Sequence, residues 1–215
     1  DGPDGHSLWP GFTNVPNEFI ESYFPLRIER YETIPDSGGA GLHRGGNGLS
    51  VAYRFLCDGD IGIHDERWLT YPWGVLGGET GLRSTKRLVR VDGSEEWLPA
   101  KAEGIKVKTG DMLYFNTWGG GGWGDPFSRD PELVRQDINR RLVTVEGAKR
   151  YGVVIATDGS VDNSATEALR AKLKAAAGEP ALFNFGGDVE EIRSRCEEET
   201  NLPAPVKPTF IGASR

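Results

Sequence analysis

Four consecutive glycines stand between two tryptophans in Trp118-Gly119-Gly120-Gly121-Gly122-Trp123, and Gly124-Asp125-Pro126 follows at once. A stretch without side chains builds no core of its own, so its value lies in how closely something else approaches it. Two readings stand at this point. The run is a tight buried crossing of two backbones, or it is a ligand-facing loop whose amides converge on an anion, with Gly120 and Gly121 at its centre. It matches neither the phosphate-binding pattern, which needs a lysine after the last glycine, nor the dinucleotide pattern, which runs directly into a helix. Asp36-Ser37-Gly38-Gly39-Ala40-Gly41, Arg44-Gly45-Gly46-Asn47-Gly48 and Gly77-Gly78-Glu79-Thr80-Gly81 are three further glycine clusters. Together they help bring glycine to 30 of 215 residues, about twice the ~7 % of an average chain. No three-residue period runs through them, which excludes a collagen-like chain.

Between the clusters the sequence reads as strand. Leu26 to Ile34 alternates apolar and charged residues, Leu49 to Leu56 and Leu82 to Val91 read the same way, and Met112 to Thr117 is rich in strand formers. The character changes near residue 129. Asp130 is placed to cap a helix with Pro131 at its first position, and Leu133, Val134, Ile138 and Leu142 then recur at helical spacing. A short helix opening at Thr144 ends at Tyr151-Gly152, Val153-Val154-Ile155 reads as a brief strand, and Asn163 to Ala177 is a helix stopped by Gly178. Asp188 to Thr200 reads as a charged, exposed helix, and Pro203, Pro205 and Pro208 draw out an extended arm. The expected class is α+β: a glycine-rich, β-dominated region over 1–128, a helical region over 129–178, and a charged, proline-rich tail over 179–215 that wraps a neighbour or is flexible.

Charge and composition narrow the partners. The chain has 32 acidic and 25 basic residues, a net charge of −7, and no dense basic cluster, which argues against nucleic acid and anionic membrane. No apolar run approaches the ~18–20 residues that span a bilayer. Cys57 and Cys196 lie far apart in unlike surroundings, and isolated thiols in a reducing cytoplasm are the simpler reading. The single methionine is Met112 and the first residues are Asp1-Gly2-Pro3, so a piece of a longer polypeptide is expected.

Candidate pocket residues come from two segments. Asp4-Gly5-His6-Ser7-Leu8-Trp9-Pro10-Gly11-Phe12-Thr13-Asn14-Val15-Pro16 sets polar groups among aromatics, and His6, Asn14 and the nearby Glu18 can share a polar site. His6 with Ser7 is not a nucleophile–base pair, because adjacent side chains seldom point together. Arg44, bracketed by flexible backbone, either recognises a carboxylate or phosphate or knits two loops by bonding their carbonyls. His43 and His64 are lone histidines, and no spacing puts two histidines on one helical face, so no metal site is expected here.

These motifs, in this order, resemble the C-terminal part of the hydantoinase B/5-oxoprolinase family, which also takes in the α-type subunits of acetone and acetophenone carboxylases. The matching signatures begin with Asp4-Gly5-His6-Ser7, Trp9-Pro10 and Thr13-Asn14-Val15-Pro16. Tyr31, the clusters at 36–41 and 44–48, Leu76-Gly77-Gly78-Glu79-Thr80-Gly81 and Gly110-Asp111 follow. Trp118 to Pro126, Arg129-Asp130-Pro131 and Tyr151-Gly152-Val153-Val154 complete the set, which spans residues 1 to about 175. The resemblance implies an ATP-dependent system that opens a cyclic amide such as a hydantoin, oxoproline or lactam. Carboxylation of a ketone is the alternative, and a non-catalytic assembly module is a rival of a different class. It further implies ATP and magnesium in a hydantoinase A-like partner subunit or domain. A divalent metal (zinc, manganese or iron) is implied in the N-terminal part of the same B-type subunit, and the whole would form a hetero-oligomer. No metal ligand and no ATP site are carried onto these residues, whose roles are those of scaffold and pocket wall.

Overall fold

The computed structural model describes residues 1–5, 15–176 and 178–206. Among them the chain runs through α1 (Asn17–Tyr23), β1 (Leu26–Thr33), β2 (Leu49–Phe55), β3 (Gly59–His64), β4 (Gly74–Val75) and β5 (Thr85–Val89). It continues through β6 (Glu95–Trp97), β7 (Lys101–Val107), β8 (Met112–Asn116), α2 (Pro131–Asn139), α3 (Asn163–Ala176), β9 (Phe183–Asn184) and α4 (Val189–Thr200). Antiparallel sheet fills the first half and helices follow, so the class is α+β as expected.

Five strands form one antiparallel sheet in the order β1-β2-β8-β5-β6. Successive residues of a strand point to opposite faces, and this sorts the sheet. On one face the row Arg30–Ala52–Tyr114–Arg87 crosses four strands. Both guanidinium groups flank the Tyr114 ring, at 5.9 and 5.2 Å from its centroid, with small Ala52 leaving room between them. The other face sends Phe55, Leu88 and Leu113 into a core with Ile63, Leu98 and Val107. Ile63 and Val107 belong to the antiparallel pair β3–β7, which covers that face.

A second core joins Ala40 of the first glycine cluster to Val134, Val143, Ala148, Tyr151 and Val153. Its helix α2 starts as the sequence predicts, with Asp130 accepting from the Glu132 N–H at 2.9 Å and Pro131 at the first position. Leu133, expected on the apolar face, is 43 % exposed. Asp137 is buried in that helix instead, because the Arg129 guanidinium donates to its carboxylate at 2.8 Å. The expected strand at Val153-Val154-Ile155 is not one: only Ile155 forms a bridge, with Val161. Val153 turns into the second core, its N–H bonding back to the Ala148 carbonyl.

The segment after residue 178 lies against the body as far as it is described. Strand β9 pairs antiparallel with β4, and α4 begins at a reciprocal cap between Asp188 and Glu191. That helix is not the fully exposed one its charge suggests, since Ile192, Cys196 and Thr200 recur every fourth residue and are buried. Cys57 is exposed, Cys196 buried, and neither is in a disulfide. No helix among the described residues is long and apolar enough to cross a membrane.

The Gly110-Asp111 motif has a structural role. Asp111 accepts from the backbone N–H groups of Lys108 and Val91 and from Arg90. Burial alone would raise its carboxyl pKa, but these donors outweigh burial and hold it below the ordinary value. A carboxylate depressed in this way stabilises the fold fully above the unfolded pKa of about 3.9 and loses that contribution as the pH falls through the depressed value. Replacing Asp111 by Asn is expected to cost about 1–3 kcal/mol at neutral pH. The gap should narrow below about pH 3.9, as urea denaturation at the two pH values would show.

Candidate functional site

The four glycine clusters meet in one place. The Gly39 N–H donates to the Gly120 carbonyl at 2.8 Å, Gly120 to Gly46 at 2.7 Å, Gly122 to Glu79 at 2.9 Å and Gly119 to Leu82 at 3.1 Å. His43 and Trp123 exchange both backbone bonds at 3.0 Å. A Cβ at Gly45 would lie in the Gly120 carbonyl, and one at Gly122 in the Ala40 carbonyl. Three amides of the tetraglycine thus bond backbone oxygens, the arrangement of a close crossing, while Gly120 and Gly121 also line a cavity beside it.

This open cavity measures about 1050 Å³. Ile28, Tyr31, Val51, Tyr53 and Phe115 of the large sheet form its apolar side, and the glycine crossing, Trp118, Trp123 and His43 form another. Glu66, Arg67 and Thr70, from the loop between β3 and β4, complete the wall with Gly2, Pro3 and Gly5. Burial, with Tyr31 as a smaller contribution, pushes the Tyr53 phenol above its ordinary pKa, so the hydroxyl stays protonated to still higher pH. An apolar recess with a few convergent polar groups is the form of a small-molecule site.

The candidate residues fall differently around it. Arg44 lines the cavity, but its guanidinium donates to Asp4 and to the Gly45 carbonyl, both at 2.8 Å, and its Nε lies 3.8 Å from Asp137. Arg129 ties Asp1 and Asp137 into the same network. Arg44 therefore knits the first residues of the chain to the glycine loops. Glu18 is exposed on α1 and is not among the cavity residues. Asn17 and Ile20 face the cavity instead, being one helical turn apart, while Glu18 is turned about 100° away. His6 and Asn14 lie outside the described residues; the flanking Gly5 and Val15 line the cavity. Sequence reasoning missed Tyr53 and Arg67. The signal for Tyr53 was present, as a phenol inside a largely apolar strand, whereas Arg67 sits in Asp65-Glu66-Arg67, which reads as a solvated charge run. Among the described residues no three His, Cys, Asp or Glu side chains gather as a metal-binding group.

Fold and site define an α+β scaffold whose glycine-stitched loops wall a largely apolar cavity. Residues 1–126 match the model of the hydantoinase B/oxoprolinase family, and the chain belongs to that family. It is 32 % identical over 173 residues to the putative B-type component of a D-/L-hydantoinase from Pseudomonas sp. strain NS671, covering 79 % of this chain and 29 % of that protein. The crystal structure of ATP-dependent caprolactamase from Pseudomonas jessenii matches with a TM-score of 0.64 at 32 % identity, over 73 % of this chain and 28 % of that one. Nucleotide-free acetone carboxylase matches with a TM-score of 0.62 over 86 % of this chain and 29 % of its own, at 22 % identity, a likeness of fold alone. The chain spans less than a third of the length of these relatives.

Proposed function

We propose that this chain is the cavity-walling portion of a hydantoinase B-like subunit in an ATP-dependent hydrolase that opens cyclic amides. The observation that carries the reading is the cavity itself, built on the residues that match the family. Its partners are the remainder of the B-type subunit and an A-type subunit or domain that uses ATP, in the cytoplasm. Alone, the chain is inactive. Within the site this chain binds and orients the ring: the sheet supplies an apolar seat, and the protonated Tyr53 phenol is a donor for a ring carbonyl. Ring hydrolysis is favoured over ketone carboxylation because the likeness to the caprolactamase is closer in sequence than that to acetone carboxylase.

The test uses the complete enzyme that contains this chain, with its A-type partner, assayed for ATP-dependent opening of hydantoin, 5-oxoproline and caprolactam. Thr70 is exposed at the cavity wall, so Thr70→Trp plugs the cavity without disturbing the core. We expect kcat/KM to fall at least ~10-fold, a loss of about 1.4 kcal/mol in transition-state stabilisation, with assembly unchanged by size-exclusion chromatography. Unchanged turnover with the plug in place would overturn the reading in favour of an assembly module.

A further inference from the structure

We infer that Arg67 is the anchor of the cavity for an oxyanion carried by the ligand, so that this site takes a cyclic amide bearing a carboxylate rather than a neutral lactam. The inference rests on the reading of the cavity as the substrate site. Among the described residues, four with charged or titratable side chains other than the tyrosines line that space: His43, Arg44, Glu66 and Arg67. Arg44 is neutralised by Asp4 and Asp137, and Glu66 is paired with Lys101 at 3.2 Å. Arg67 has no carboxylate partner among the described residues. Its guanidinium carbon lies 4.7 Å from the centroid of the Trp73 ring, and an arginine stacked on an aromatic face keeps its in-plane N–H donors for a planar oxyanion. Residues 6–14, between cavity-lining Gly5 and Val15, contain no Asp or Glu that could neutralise it.

The backbone holds this side chain in place at a conformational cost. Arg67 has φ of 56°, a left-handed conformation that a non-glycine residue keeps only when its surroundings impose it. Five consecutive residues are pinned by Arg83, Ser84 and Lys86. Lys86 holds the Asp65 carboxylate, the Ser84 hydroxyl donates to the Glu66 carbonyl at 2.9 Å, and the Ser84 N–H donates to that of Arg67 at 3.0 Å. Arg83 donates to the carbonyls of Trp68 and Leu69 at 2.9 and 3.0 Å. Nothing in this pinning uses the Arg67 side chain. A strained, rigid backbone that presents an uncompensated guanidinium to a cavity is a preorganised anion site.

The experiment titrates the complete enzyme that contains this chain, without ATP, with 5-oxoproline and with 2-pyrrolidinone, which differs only in lacking the carboxylate, following the heat of binding by calorimetry. Inorganic phosphate is the third probe, because the same guanidinium fork accepts a phosphate. We expect 5-oxoproline to bind at least tenfold more tightly than 2-pyrrolidinone. Arg67→Met should erase the difference while leaving 2-pyrrolidinone binding intact, and Arg67→Lys should restore only part of it. Arg67→Gly, which suits the positive φ, serves as the folding control, with unchanged or raised Tm and the same loss of preference. Phosphate competing with 5-oxoproline in the wild type but not in Arg67→Met would show an anion site that accepts both oxyanions; no competition would make it selective for carboxylate. Equal binding of the two lactams, persistence of the preference in Arg67→Met, or no binding of any probe overturns the proposal. Arg67-dependent binding of phosphate without either lactam would leave the anion anchor standing and sink the cyclic-amide reading instead.

Discussion

Gly121→Ala is expected to abolish stable folding of this chain. A Cβ built on Gly121 falls inside the carbonyl of Trp73, and the next closest atoms are also backbone, the Trp73 carbonyl carbon and the Gly74 nitrogen. No flexible side chain can swing aside. Moving Trp73 and Gly74 disturbs β4, whose Val75 N–H bonds the Gly122 carbonyl at 2.9 Å. It also drives Gly74 toward the Gly78 carbonyl, which already leaves no space for a Cβ there. Overpacking a core with side chains typically costs about 1–3 kcal/mol. A clash of backbone on backbone, propagated through three glycine clusters, should exceed ~3 kcal/mol, a large fraction of the ~5–15 kcal/mol that holds a domain together. Gly59→Ala is the matched control: a Cβ there meets nothing within 4 Å, so its urea midpoint should stay near that of the wild type. A Gly121→Ala chain within about 1 kcal/mol of wild type would mean that the crossing is looser than its hydrogen bonds indicate.

The same crossing explains what could be read in advance. A cluster of glycines is a local signal with a non-local meaning, and its order along the chain pointed to the family before any contact was known. Asp130-Pro131 and Asp188 with Glu191 are equally local, since a cap needs only neighbours within one turn. Strand β2 was legible because Val51, Tyr53 and Phe55 alternate with polar or small residues. Strands β3 and β7 were not, because Gly-Asp-Ile-Gly-Ile-His and Lys-Ala-Glu-Gly-Ile-Lys-Val carry few apolar residues and find each other across a long sequence separation. The site was harder still. Arg44 announced itself by its glycines, and its partners proved to be Asp4 and Asp137. Arg67 matters for the carboxylate it lacks, and Asp65 leaves its side for Lys86, 21 positions on. Sequence spacing records neither an absent partner nor a partner acquired by folding.

That acquired partner is the second place where a single substitution should be severe. Lys86 is 1 % exposed and Asp65 6 %; the ammonium donates to the Asp65 carboxylate and to the Ser84 hydroxyl, and lies 5.4 Å from the centroid of the Phe115 ring. Lys86→Met keeps the length and apolar stem of the side chain but strands a carboxylate in the interior. Breaking a buried pair from one side costs about 3–5 kcal/mol, whereas replacing both partners with apolar groups is often neutral. The double variant Lys86→Met/Asp65→Leu should therefore recover most of the loss, and a double-mutant cycle in urea would measure the coupling directly. Burial lowers the Lys86 pKa against the opposing pull of Asp65, so desolvation outweighs attraction in this pair. A base depressed in the folded state binds fewer protons there than in the unfolded chain. Wild-type stability relative to the double variant should therefore rise as the pH climbs from the depressed value towards the ordinary lysine pKa of about 10.4. If the pair mattered only for stability, the double variant would be indistinguishable from wild type in every other respect. The pair also fixes Asp65, two residues from Arg67. Leucine in its place leaves the start of the cavity-wall loop without its anchor, so the refolded double variant should have lost part of its preference for 5-oxoproline over 2-pyrrolidinone. Full retention of that preference would show that Ser84 and Arg83 suffice to hold the loop, and would confine the buried pair to the folding of the sheet beneath it.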